Sequence, residues 1–271
     1  MPQLRPSRVL REIRAGQVST AFKINLSDPR VIELAGLAGV SAVWLCNEHV
    51  PNDWLNLEHQ VRAAKLHDID MIVRVSKGSY SDYVKPFECD ATGIMVPHVT
   101  SADEARRVVQ MVRCRPLGDK PLDAGNMDGL FCQVPLAEYA EHCNREKFVI
   151  LQIESPEGLA EIDAIAAVPG FDMLLFGAGD FSHRIGRLGE IGHPEVVAAR
   201  KQVAAAAARH GKHVAVASLY GQKDEVLAEG ARLAVLGADV VALGGAFTSL
   251  VTGFAGTVAP RPADSVYRSK A

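Results

Sequence analysis

The chain is short of patterned cysteines, of basic surplus and of long apolar runs, and each shortage argues against a class of protein. Its five cysteines, Cys46, Cys89, Cys114, Cys132 and Cys143, form an odd set with no Cys-x-x-Cys spacing, which argues against a disulfide framework and a zinc knuckle. The 29 Lys and Arg are outnumbered by 32 Asp and Glu, mixed along the chain, so there is no basic face for nucleic acid and no polybasic membrane anchor. No apolar stretch approaches a bilayer span, and the start, Met-Pro-Gln-Leu-Arg-Pro-Ser-Arg, has no apolar secretory core. The expectation is a soluble cytoplasmic protein that meets small molecules and copies of itself.

What is present is an ample core. Of the 271 residues 48% are hydrophobic, in short runs that alternate with helical periodicity. Residues 7–15 read as an amphipathic helix capped by Ser7 and closed by Gly16, expected to plug one end of the fold. Strands are expected at Val18–Ile24, Val40–Cys46, Asp70–Val75, Gly93–Pro97, Phe148–Glu154, Met173–Phe176, Lys212–Ser218 and Asp239–Leu243, with helices between. Among those helices are Pro156–Val168, Gln222–Leu236 and one beginning at Ala246. Eight strand–helix units in strict alternation favour a (β/α)8 barrel over an open doubly wound sheet. One domain is expected over residues 1–257, with a polar tail at 258–271. The stretch Arg113–Pro135, rich in Pro, Gly, Asp and Asn, is expected to be a lid or binding loop.

A parallel barrel gathers its chemistry where its strands end. Those ends carry His49 after strand two, Arg74 on strand three, His98 after strand four, Gln152 and Glu154 on strand five, and Asp180 after strand six. Side chains two apart on a strand share a face, so Gln152 and Glu154 point the same way. Carboxylates at corresponding places in adjacent units suit a hard ion that prefers oxygen, Mg²⁺ or Mn²⁺, rather than zinc. Two protein ligands leave positions for water and for a chelating 2-oxo acid, whose enolate the ion would stabilise. Arg74 suits a charged donor to the same oxygens. His49 is the acid/base candidate, since imidazole titrates near neutrality and its motif directly follows a buried strand. Plainer readings stand beside these: an acid past a strand can cap a helix, a rim Arg can make an ordinary ion pair, and a loop His is usually just solvated. Glu48 can ligate, orient or pair with an Arg, while His98, His183 and His193 are weaker candidates. Gly177-Ala-Gly179 permits close backbone approach to a ligand carboxylate, and Gly244-Gly245 is a weaker candidate for a phosphate cradle.

The motifs Asn-Glu-His-Val-Pro-Asn (47–52), Val73-Arg74-Val75, Ile94-Met-Val-Pro97, Leu151-Gln-Ile-Glu154, Phe176-Gly-Ala-Gly-Asp-Phe-Ser182 and Gly192-His-Pro-Glu-Val196 together resemble the HpcH/HpaI aldolase/citrate lyase family. The resemblance implies a pyruvate kinase-like barrel and a class II pyruvate aldolase of the 4-hydroxy-2-oxoheptanedioate or 2-dehydro-3-deoxyglucarate type. Such enzymes serve aromatic or sugar acid catabolism and assemble as homohexamers. It also implies Glu154 and Asp180 as ligands of Mg²⁺ or Mn²⁺, with Co²⁺ as a further candidate. Arg74 would polarise the pyruvate keto oxygen, His49 would act as base through a water, and the backbone at Gly179 and Asp180, with Gln152 nearby, would hold the 2-oxo acid. Glu88 stands where the family has the Asp that partners this His.

The departures fall on substrate-facing parts. Cys46 and Asn47 replace an acidic residue and a glycine, Ala178-Gly179-Asp180 replaces Pro-Ala-Asp, and Gly118-Asp-Lys-Pro121 replaces Gly-x-Arg-Gly. The stretch Leu219–Glu225 is longer than its counterpart. Three other readings compete. One is a Schiff-base aldolase using Lys23 or Lys77, each otherwise a surface or rim charge. The others are an organic-acid-binding barrel without turnover and a lyase for CoA thioesters.

Overall fold

The structure, a computed structural model, describes residues 3–217 and 223–256. Its strands are β1 (Ser19–Ile24), β2 (Ala42–Cys46), β3 (Asp70–Arg74), β4 (Gly93–Val96), β5 (Phe148–Ile153), β6 (Met173–Phe176), β7 (His213–Ala217) and β8 (Ala231–Ala238). Each pairs in parallel with the next and β8 returns to β1, so the sheet closes into a barrel. Every residue of β2 through β6 is buried, which is why these strands read as largely apolar runs, interrupted only by Asp70 and Arg74 at the ends of β3 and by Gln152 in β5. The helices are α1 (Arg8–Arg14), α2 (Pro29–Leu37), α3 (Trp54–Leu66), α4 (Tyr80–Glu88), α5 (Ala102–Val112), α6 (Leu136–Glu146), α7 (Pro156–Ala160), α8 (Ile162–Ala166), α9 (Ala178–Arg184), α10 (Pro194–Arg209), α11 (Lys223–Ala228) and α12 (Asp239–Ala255).

Two apolar cores follow from the strand period of two. Ala21, Trp44, Ile72, Met95, Ile150, Leu175 and Val235 point inward and fill the barrel, and Val9, Leu10 and Ile13 of α1 close it from below. The alternate residues, among them Val43, Val73, Ile94, Leu151 and Leu174, pack outward against the helices. The plug is fastened by the first residue of β3. Asp70, fully buried, accepts from Arg5 Nη2 at 2.6 Å, Ser7 Oγ at 2.6 Å, Val9 N at 2.9 Å and Arg8 N at 3.2 Å. Ser7 in turn caps α1 by accepting the N–H of Leu10 at 2.9 Å.

The structure corrects the chain's last third. The eighth strand is β8, Ala231–Ala238, which overlaps the end of the segment expected to be helical, and the expected strand Asp239–Leu243 is the first turns of α12. Gly244 and Gly245 therefore lie within a helix, not in a phosphate-binding turn. The helix expected over Pro156–Val168 is broken at Glu161 into α7 and α8. The stretch Arg113–Pro135, expected to be a lid or binding loop, is anchored by its own side chains. Its buried anchors tie it to the outer layer, where Lys120 Nζ donates to Tyr139 Oη of α6 at 3.1 Å and Tyr139 Oη donates to Asp128 Oδ2 at 2.5 Å. The expected tail at 258–271 and the stretch 218–222 lie outside the described residues.

α12 departs from the other long helices in what it buries. Asp239 is its buried residue, while Phe247, Leu250, Val251 and Phe254 are 61%, 71%, 55% and 97% exposed. Among the described residues no helix is long and apolar enough to cross a membrane.

Candidate active site

Strand ends β2 to β6 bring one polar array to the barrel rim. Arg74 closes β3, pairs in register with Cys46 of β2, and points inward. Its guanidinium lies 5.0 Å from the Trp44 ring centroid, its Nε and Nη2 lie 3.4 and 3.1 Å from Cys46 Sγ, and its Nε lies 2.9 Å from Glu48 Oε2. Glu48 thus pairs with an Arg, one of the three roles its sequence left open. Its other oxygen faces His98 Nε2 at 3.0 Å.

His98 adopts the left-handed φ of 53°, uncommon for a residue with a side chain, and this turns both its backbone and its ring toward Glu154. Its N–H donates to Glu154 Oε1 at 2.7 Å, and its Nδ1 lies 3.0 Å from the same oxygen. His98 Nδ1 and Glu48 Oε2 are both buried at ion-pair distances without an aligned hydrogen bond. Lys77 is committed elsewhere: its Nζ donates to the His98 carbonyl at 2.6 Å and pairs with Glu104 at 2.7 Å.

Glu154 follows β5 and is 1% exposed. Gln152, two residues earlier and on the same inward face, donates from Nε2 to Glu154 Oε2 and leaves its own Oε1 buried without a hydrogen-bond partner. Burial holds the Glu154 carboxyl above its ordinary pKa; His98 opposes the shift and the neighbouring Asp180 adds to it. Asp180 is exposed in the first turn of α9. The first helical bond of α9 runs from the Phe181 N–H to the Gly177 carbonyl at 3.0 Å, so the N–H groups of Ala178, Gly179 and Asp180 precede it. Gly177 makes room for the carboxylate, since a Cβ there would stand 2.6 Å from Glu154 Oε2.

His49 sits in the loop after β2 with its side chain 61% exposed and its Nε2 3.5 Å from Glu48 Oε2. Glu88 is not brought to it. That residue ends α4, a helix that runs back from the rim, and its charged neighbours are Lys120, Asp123 and Lys85. The dyad of His49 and Glu88 is therefore not formed within one chain. His193 caps α10, its Nδ1 accepting the Glu195 N–H at 3.3 Å. One rim residue escaped the sequence reading, and one that it named has a role it did not foresee. Asp239, at the junction of β8 and α12, accepts the N–H groups of Asn25 at 3.0 Å and Leu26 at 2.9 Å. The bridging role of His98 depends on its backbone angle, which no motif announced.

Residues 21–244 match the family model described as HpcH/HpaI aldolase/citrate lyase. The chain belongs to that family. A hydroxypyruvate/pyruvate aldolase of Pseudomonas aeruginosa is 31% identical over 96% of this chain and 98% of its own length. A 5-keto-4-deoxy-D-glucarate aldolase of Klebsiella pneumoniae is 30% identical over 87% of this chain and 91% of its own. Among solved structures, an HpcH/HpaI aldolase from Desulfitobacterium hafniense superposes with a TM-score of 0.87 at 26% identity, covering 93% of this chain and 98% of that one. This member of the HpcH/HpaI family is accordingly a carbon–carbon lyase on a (β/α)8 barrel. Among its described residues no group of three or more His, Cys, Asp or Glu side chains is arranged to hold a metal ion, so a metal site here would rest on fewer protein ligands.

Proposed function

We propose that the chain is a divalent-metal-dependent class II aldolase that cleaves a 4-hydroxy-2-oxo acid to pyruvate and an aldehyde. The observation that carries this reading is the anionic pair on the rim, a buried Glu154 with Asp180 close enough to raise its pKa further. A cation between them offsets both the burial and the repulsion. The donor set fits a hard ion, because Glu154, Asp180 and the unpartnered Gln152 Oε1 offer oxygen alone. Mg²⁺, Mn²⁺ or Co²⁺ would be held by Glu154 and Asp180 and, when bound, would supply Lewis-acid polarisation of the 2-oxo acid's oxygens.

The chain's own groups supply the rest. The N–H groups of Gly179 and Asp180 bind the substrate carboxylate, with Gln152 beside them. Arg74, fixed by Glu48 and stacked on Trp44, donates to the keto oxygen that gains charge as the C3–C4 bond breaks. His49 takes the C4 hydroxyl proton through a water, and a proton returned to C3 completes pyruvate. Glu88 has no part in these steps within one chain. Self-association is supported by the apolar residues that α12 leaves exposed, and a cytoplasmic setting by five free thiols.

The test is pyruvate release from oxaloacetate and from a panel of 4-hydroxy-2-oxo acids, before and after EDTA and with Mg²⁺ or Mn²⁺ restored. Activity that EDTA removes and metal restores is the expected result. Turnover indifferent to EDTA would sink the metal mechanism, and inertness toward every member would sink the substrate class.

A further inference from the structure

Lys23 is not the surface or rim charge its sequence suggested. It alternates with Ser19 and Ala21 on the inward face of β1, near that strand's C-terminal end, and is only 8% exposed. In the sheet register it pairs with Trp44, whose ring lies 5.8 Å from its Nζ. The Arg74 guanidinium lies 5.0 Å from the same ring centroid, so one indole neighbours both an amine and a guanidinium, and the Arg74 charge acts on Lys23. We propose that Lys23 is a second reactive group of this barrel, which condenses with a small 2-oxo acid to form an imine without a metal.

The geometry supplies what the reaction needs. A 2-oxo acid carries a carboxylate next to its carbonyl carbon, and Arg74 is a carboxylate donor beside the amine that must reach that carbon. The amine must also be neutral to attack. Burial holds the Lys23 pKa below its ordinary value and the Arg74 charge lowers it further, against the opposing pull of Cys46, Asp239 and Glu48. A desolvated lysine beside another cation is the arrangement that activates an amine toward carbonyl carbon.

The step balances without any further reagent. The Nζ lone pair forms a bond to C2 and one amine proton passes to the former carbonyl oxygen. The C–O bond then breaks, and that oxygen leaves as water with the second amine proton, which leaves a C=N bond. Protonation of the imine nitrogen and loss of a C3 proton to solvent give an enamine. Nothing is oxidised or reduced.

This inference rests on the 2-oxo acid substrate class proposed above, and its test separates the two. The full-length protein is incubated with pyruvate in EDTA, treated with sodium borohydride, and examined by intact mass and peptide mapping. The expected result is one reduced pyruvate adduct per chain, mapped to Lys23, that is absent from both Lys23→Arg and Lys23→Met. In parallel, exchange of the pyruvate methyl protons in D₂O with EDTA is followed by proton NMR, and Lys23→Arg is expected to slow it by about tenfold or more. No adduct on the wild-type chain, or an adduct on another lysine, overturns the proposal. If EDTA-sensitive, metal-restored turnover is present in the same preparation, that failure leaves the metal-dependent reading standing.

Discussion

Replacing Gly177 by alanine tests whether Glu154 is placed for a metal. The backbone at this position, φ −86° and ψ 79°, is open to an L-residue, so the substitution acts through space rather than through conformation. The new Cβ would stand 2.6 Å from Glu154 Oε2, 2.7 Å from Glu154 Cβ and 3.1 Å from Gln152 Nε2. Ordinary contact begins at 3.4 Å, so the carboxylate must retreat by about 0.8 Å. Metal sites tolerate about 0.2 Å in ligand distance, and a misplacement of about 1 Å at a reacting centre costs roughly a hundredfold in rate. The crowding itself is expected to destabilise the fold by about 1–3 kcal/mol. Gly177→Ala should therefore lose about tenfold or more in Mn²⁺ affinity and about a hundredfold in kcat/KM while remaining folded. The control is Gly192→Ala, where a Cβ meets nothing within 4 Å. Mn²⁺ titration by electron paramagnetic resonance, steady-state kinetics and thermal unfolding read the three quantities. If Gly177→Ala binds Mn²⁺ within about twofold of the parent and keeps its kcat/KM, Glu154 is not the ligand.

Asp70→Ala leaves Arg5, Ser7 and the first N–H groups of α1 without their buried acceptor, and urea unfolding should show a loss of about 3–5 kcal/mol; a loss under about 1 kcal/mol would refute the anchoring role. Burial raises the Asp128 carboxyl from its ordinary 3.8 to about 6, against the pull of Lys147, the Tyr139 hydroxyl and Lys120. The folded chain then holds an extra proton between those values, so this contribution is complete below the unfolded pKa and is lost as pH rises through about 6. The loss amounts to roughly 3 kcal/mol at most, and unfolding midpoints should fall with pH across that window in the parent and much less in Asp128→Asn. Leu250→Glu with Phe254→Glu should convert an assembled species to monomer in sedimentation velocity; an unchanged profile would exclude α12 as the contact.

Much of the barrel was legible because strands covered on both faces are predominantly apolar: Met173–Phe176 is so throughout, and Phe148–Ile153 is except for the site residue Gln152. The eighth unit was misread for a related reason. Asp239-Val-Val-Ala-Leu243 has the same apolar density as a buried strand, and α12 lacks the polar face that marks a surface helix. Arg232 and Gly237, by contrast, make the true strand β8 look less like one. At the site, strand-end residues could be located by counting, which is how Arg74, Gln152, Glu154 and Asp180 came to one rim. The depth of Lys23 could not, because alternation gives a face and not a distance from solvent. That Glu88 and His49 do not meet within one chain was not legible either, since spacing along the chain does not say that α4 carries its last residue away from the rim.

The plug at the floor of the barrel has a consequence for synthesis. α1 leaves the ribosome ahead of every strand of the barrel, yet its acceptor Asp70 lies 63 residues beyond Ser7. A second acceptor, Glu146, takes the Ser7 N–H at 3.0 Å and pairs with Arg14 at 3.0 Å, and it emerges later still. At about 5–20 residues per second the helix waits several seconds with Val9, Leu10 and Ile13 uncovered before β3 arrives, and longer before α6 does. Closure from below is thus a late event in the life of the nascent chain, and the interval before it is when a chaperone has the most to hold.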